Sequence, residues 1–305
     1  MSTRVGIFAW LLGAAVFLMS GSPVQAEGGI FVTGHDPDFH AFQGGNTVGA
    51  QHIIQDSLNF VTNGHLGKVL LVTSLINPGG GYSDPRLGLT AAGISFDVAD
   101  DGSAGGSVKN LNTVNFSAYT AVVVASDFGG WLRQSELNIL ISRESALLNY
   151  VNGGGGLVAF AESGPPLPGL LTSNAFGYLP FLVSSAAKNQ NEVGNTLTPF
   201  GLSLGLTVSD INGNASHNIF SKTGGLSIVD KDSSGDILSL AAYGTFSTGG
   251  LVPEPSTLSL ALMGALGGAA LFVWQRRNAP AHVAPGARTG DRHPLAIGSG
   301  RRRDC

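Results

Sequence analysis

Residues 116–163 decide the fold: FSAYTAVVVASDFGG at 116–130, SELNIL at 135–140 and LLNYVNGGGGLVAFAES at 147–163. Ala121–Ser126 is a run of β-branched and small residues without polar alternation, which reads as a strand buried on both faces. Ser135 and Glu136 then open a helix with a capping hydroxyl and an early acid. Leu137, Leu140, Leu147, Leu148 and Val151 give that helix one apolar face. Asn152 and the glycines Gly153–Gly156 stop it, and Leu157–Ala161 is the next buried strand. Such strands, separated by amphipathic helices, predict a parallel sheet covered on both sides.

The same grammar continues upstream. Gly29–Thr33 reads as a strand, and Ala50, Ile53, Ile54, Ser57, Leu58 and Val61 mark a helix that Asn63-Gly64 ends. Lys68–Thr73 is another strand, with a further one expected at Ile94–Val98. Downstream, residues 165–246 are rich in Gly, Ser and Asn. Short strands are expected there at Leu202–Val208, Leu226–Val229 and Ile237–Leu240, either completing the sheet or forming a small β layer. The fold class expected for residues 27–246 is therefore α/β, with a doubly wound, mainly parallel sheet.

The segments from Gly29 to Gly164 resemble the class I glutamine amidotransferase-like fold, a flavodoxin-like arrangement. Its helix ending in "YV-x-x-GGG" matches Tyr150–Gly156. That family works through a Cys nucleophile on a sharp turn with a His partner. The chain has one Cys, Cys305, the last residue given. Glutaminase chemistry is thus excluded, and no G-x-S-x-G elbow replaces it, although Ser163 stands near the expected place.

Both ends read as targeting segments. Arg4, the apolar run Val5–Met19 and Val24-Gln25-Ala26 form the three parts of a signal peptide over residues 1–26, to be removed by signal peptidase. Residues 247–257 are a linker containing Pro253, Glu254 and Pro255. Residues 258–274 form an apolar stretch long enough to span a bilayer, and Arg276 and Arg277 follow it. The positive-inside rule places the tail in the cytoplasm and the body across the membrane. Residues 275–305 form a basic tail without apolar periodicity, read as disordered.

Pro-Glu-Pro, a span and an arginine pair, in that order, resemble the PEP-CTERM sorting signal of Gram-negative bacteria. The resemblance implies processing by exosortase near Pro-Glu-Pro. It also implies export across the inner membrane, anchoring through residues 258–274, and delivery to the envelope surface or beyond. An exported, non-catalytic or degenerate protein associated with extracellular polysaccharide is the function expected.

Charge divides the same way. The 305 residues carry 16 Lys and Arg against 20 Asp and Glu, and only 12% are charged. Residues 27–252 hold 8 basic and 17 acidic residues, whereas 275–305 hold 7 and 2. An acidic exported body argues against nucleic acid as a partner. A single Cys also excludes a disulfide framework.

The strongest candidate site is Gly34-His35-Asp36-Pro37-Asp38-Phe39-His40, directly after the first strand. In a doubly wound sheet that loop lies at the carboxyl edge, where ligands bind. His35, Asp36, Asp38 and His40 are N and O donors suited to Zn or another divalent cation, with Glu162 as a further ligand. Asp127, Ser163 and His217 are candidates for the same crevice. The loop loosely resembles the His-Pro-Asp-Asp-Glu zinc loop of sugar N-deacetylases, which implies a metal-dependent hydrolase of envelope sugars as the alternative function. The order of residues differs, and no downstream His-x-x-His accompanies it. The competing reading is that Asp36 and Asp38 shape an Asx turn, the histidines bond within the loop, and no cofactor is needed.

Overall fold

In the computed structural model, Ala121–Val124 is a strand in the interior of the sheet, buried at every residue. The structure describes residues 27–79, 84–127, 129–163, 169–179, 181, 183–191 and 193–252. The signal peptide, the Pro-Glu-Pro motif, the apolar stretch 258–274 and the basic tail lie outside the described residues.

The chain begins with β1 (Gly28–Thr33), α1 (Pro37–His40), α2 (Thr47–Val61) and β2 (Val69–Val72). It continues through α3 (Pro85–Ala91), β3 (Phe96–Asp100), β4 (Lys109–Asn110) and β5 (Ala121–Val124). Two helices, α4 (Gln134–Ser142) and α5 (Glu144–Asn152), lead to β6 (Gly156–Ala159). The remainder comprises β7 (Val183–Asn191), β8 (Thr196–Leu197), α6 (Pro199–Ser203), β9 (Ala215–Thr223), β10 (Ser227–Lys231) and β11 (Ile237–Gly244). A small hairpin of β12 (Phe246–Ser247) and β13 (Gly250–Leu251) closes it.

The large sheet has the order β4-β3-β2-β5-β6-β1-β11-β10-β8. From β4 to β1 every neighbouring pair is parallel. β11, β10 and β8 extend it in antiparallel fashion, and β9 joins β11 and carries β7. This is a mixed α/β fold around a parallel core, and the C-terminal strands complete the sheet.

Helices cover both faces of the core. A Cβ on Gly28 would strike the Val151 and Gly155 carbonyls, whereas one on Gly29 would strike Val61. Successive residues of a strand face opposite ways, so α5 and α2 lie on opposite sides of β1. Helix α2 buries Ala50, Ile53, Ile54, Ser57, Leu58 and Val61, the face its periodicity marks. Asn46 caps it, its side-chain oxygen accepting from the Gly49 N–H at 3.0 Å.

Four elements differ from expectation. The helix expected through Ser135–Val151 is two, broken at Arg143, whose backbone (φ −107°, ψ 15°) leaves the helical region. There the guanidinium donates to the carbonyls of Leu111 at 2.5 Å and Val114 at 2.8 Å, and lies 4.2 Å from the Phe116 ring centre. Leu202–Val208 is not a strand. Pro199 starts a short helix there, and the Thr198 hydroxyl accepts from the Gly201 N–H at 3.1 Å. Strands β7 and β9 were not expected, because their mixed polar sequences show neither strict alternation nor a continuous apolar run.

Candidate functional site

The carboxyl ends of β1, β5 and β6 deliver His35, Ser126, Asp127, Glu162 and Ser163 to one edge of the sheet. Strand β9 lies against that edge. His35 bridges to Ser216, the His217 N–H donates to the Gly34 carbonyl at 2.7 Å, and the Ala161 N–H donates to the His35 carbonyl at 3.0 Å. Gly34 permits this approach: a Cβ there would lie 2.0 Å from the Asn218 carbonyl oxygen. His35, Asp36, Asp38, Asp127, Glu162, Ser163 and His217 are all buried as a result.

Each candidate then has its own partner. The His35 imidazole Nε2 hydrogen-bonds the Asp230 carboxylate at 2.7 Å, tying the end of β1 to β10. Asp38 accepts from the Ser126 N–H at 2.8 Å. Burial pushes its carboxyl up to about 7, against the opposing pull of that hydrogen bond. Asp127 accepts from the Ser163 N–H at 2.8 Å, from its hydroxyl at 2.7 Å and from the Leu171 N–H at 3.2 Å. Glu162 accepts from the Phe176 N–H at 2.5 Å and the Tyr178 hydroxyl at 2.6 Å. Its carboxyl rises to about 8, chiefly through burial.

Asp36 gathers two of the predicted residues. One carboxylate oxygen is 3.4 Å from His40 Nε2, and the other is 3.3 Å from His217 Nε2. The histidines thus stand at different oxygens of one carboxylate. The structure does not draw His35, Asp38 and Glu162 into this group, because each is turned toward a different segment. Among the described residues, no group of three or more His, Cys, Asp or Glu side chains is arranged to hold a metal ion.

What the arrangement does chemically is fasten loops. Asp127 and Glu162 hold the segment containing Leu171, Phe176 and Tyr178 over the strand ends. Tyr178 and Asp230 are the important partners that sequence reasoning missed. Asp230 belongs to Asp-Lys-Asp in a polar hairpin, which signals a turn and nothing more. Tyr178 stands in a stretch without periodicity.

Residues 251–277 match the PEP-CTERM protein-sorting motif, and Pro253, Glu254, Pro255, Arg276 and Arg277 fall within the match. This is the signal of an exported protein processed by exosortase and sorted to the envelope or surface. No curated protein and no solved structure matches the chain. Among the described residues, no helix is long and apolar enough to cross a membrane.

Proposed function

We propose that this chain is a non-catalytic surface protein whose α/β body, amidotransferase-like in fold, associates with extracellular polysaccharide in a Gram-negative envelope. In this reading signal peptidase removes residues 1–26, residues 258–274 hold the body at the inner membrane, and exosortase then cuts near Pro253-Glu254-Pro255. The observation that carries the reading is the sorting motif at 251–277. Support for a non-catalytic body comes from Asp38, Asp127 and Glu162. Asp38, in α1, and the strand-end acids Asp127 and Glu162 each bond the protein's own chain, and no Cys stands in the body.

Expression in a host with exosortase and in its exosortase deletion tests the reading by intact mass of the envelope fraction. The expected product in the first host lacks residues 258–305, and in the second it retains them. Retention in both would overturn exosortase processing.

A metal-dependent hydrolase of envelope sugars is the second reading, favoured by Asp36 standing between His40 and His217. It requires bound Zn in the purified body and a chelator-sensitive melting temperature. It falls if metal analysis finds less than equimolar divalent cation and chelator leaves melting unchanged.

A further inference from the structure

At the opposite, amino edge of the sheet lies a cavity of about 460 Å³ that the strand-end network does not touch. It forms where α2 and α5 both end, between the turn Thr62–His65, the glycines Gly153–Gly155 and the start of β5. Tyr119, Tyr150 and Tyr243 line it, together with Asn63, His65 and Ser117. Tyr119 and Tyr150 are nearly buried, and their hydroxyls are committed to Asp97 at 2.9 Å and to the Gly156 carbonyl at 3.1 Å. Tyr243 differs: its residue is 38% exposed, with its ring edge-on to Phe60 at 6.4 Å. The side chains of Asn63, His65 and Ser117 are exposed and make no hydrogen bond among the described residues.

We infer that this cavity binds a neutral sugar unit of a polysaccharide. A volume of this size lies within the range of small-ligand pockets. An open aromatic ring offers a platform for the apolar C–H face of a pyranose. A carboxamide, an imidazole and a hydroxyl offer both donors and acceptors for its hydroxyl groups. Charge selects among sugars. Among the described residues no Lys or Arg lines the cavity, Glu27 does, and the carboxyl ends of two helices carry negative partial charge toward it. An anionic uronate or phosphate is disfavoured there, and a neutral hexose is not.

Asn63 lies in the turn that ends α2, where its N–H donates to the Phe60 carbonyl. It holds a left-handed backbone, φ 50°, where glycine is the less strained choice. Glycine would satisfy the turn equally well and would give up the carboxamide.

This inference rests on the polysaccharide reading above and adds a place and a charge class to it. The body, residues 27–252, is tested by calorimetry and by tyrosine and amide NMR shifts. The probes are neutral tetrasaccharides of glucose, mannose and N-acetylglucosamine, with a tetragalacturonate as the charged probe. The expected result is binding of at least one neutral probe and none of the uronate, with Tyr243→Ala lowering affinity about tenfold. Asn63→Gly should lower affinity while keeping or raising the melting temperature, a combination that a structural role would not give. Binding of the uronate alone, or neutral binding that both variants leave unchanged, overturns this site while sparing the polysaccharide reading. Failure of every probe to bind overturns the site, whereas exosortase processing is decided independently by the sorting experiment.

Discussion

His35 Nε2 and the Asp230 carboxylate meet at 2.7 Å, with side-chain exposures of 4% and 0%. They stand 195 residues apart in sequence and join the parallel core to its antiparallel extension. Removing one member leaves the other buried without its partner. Asp230→Ala should therefore cost about 1–3 kcal/mol in urea unfolding. His35→Leu combined with Asp230→Leu should cost less than the sum of the two single changes, because the pair is lost together. Simple additivity in that cycle would show the pair to be uncoupled.

Glu162 and Asp38 make stability depend on pH in a definite direction. Their carboxyls rise from 4.5 to about 8 and from 3.8 to about 7, mainly through burial. A raised folded value means the folded state holds its proton longer than the unfolded chain. The stabilisation is thus complete below about pH 4 and is lost as pH rises through about 7 and then about 8. Unfolding free energy should fall by up to about 1.4 kcal/mol per pH unit for each group across that window. Glu162→Gln should remove its share of the slope; an unchanged slope in that variant would refute the assignment.

Gly34→Ala should destabilise by about 3 kcal/mol. Its Cβ would stand 2.0 Å from the Asn218 carbonyl, so β9 would have to retreat from the end of β1. Loss of hydrogen-exchange protection at the His217 amide, which donates to the Gly34 carbonyl, is the local readout.

Arg143→Lys should cost about 1–2 kcal/mol although charge is kept. One ammonium does not reproduce a planar group that donates to the Leu111 and Val114 carbonyls and also stacks on Phe116. A melting temperature equal to wild type would show that the contacts contribute little.

The parallel core was legible because burial on both faces leaves its mark on every residue of Leu70–Val72, Ala121–Val124 and Leu157–Ala159. The break at Arg143 was not, since Leu140 and Leu147 keep a seven-residue spacing that an unbroken helix also satisfies. His35, Asp127, Glu162 and Ser163 follow strands that are readable in the sequence, which is what places them along one edge. Their partners were hidden, because Tyr178 and Asp230 come from distant segments and nothing local in sequence signals such a pairing. His217, a candidate for the crevice, lies in strand β9, whose mixed polar sequence gives no strand signal.

The position of β1 sets the order in which this protein can assemble. One neighbour, β6, begins at Gly156 and the other, β11, at Ile237, so Gly28 meets Gly244 across the ladder. The first strand of the body has no parallel neighbour until Gly156–Ala159 is made, and its antiparallel neighbour comes near the end, at Ile237–Gly244. Non-local pairing of this kind folds slowly, and the chain stays open for that interval. The same layout brings the two ends of the body together, so completion of the domain coincides with arrival of the sorting signal just beyond it.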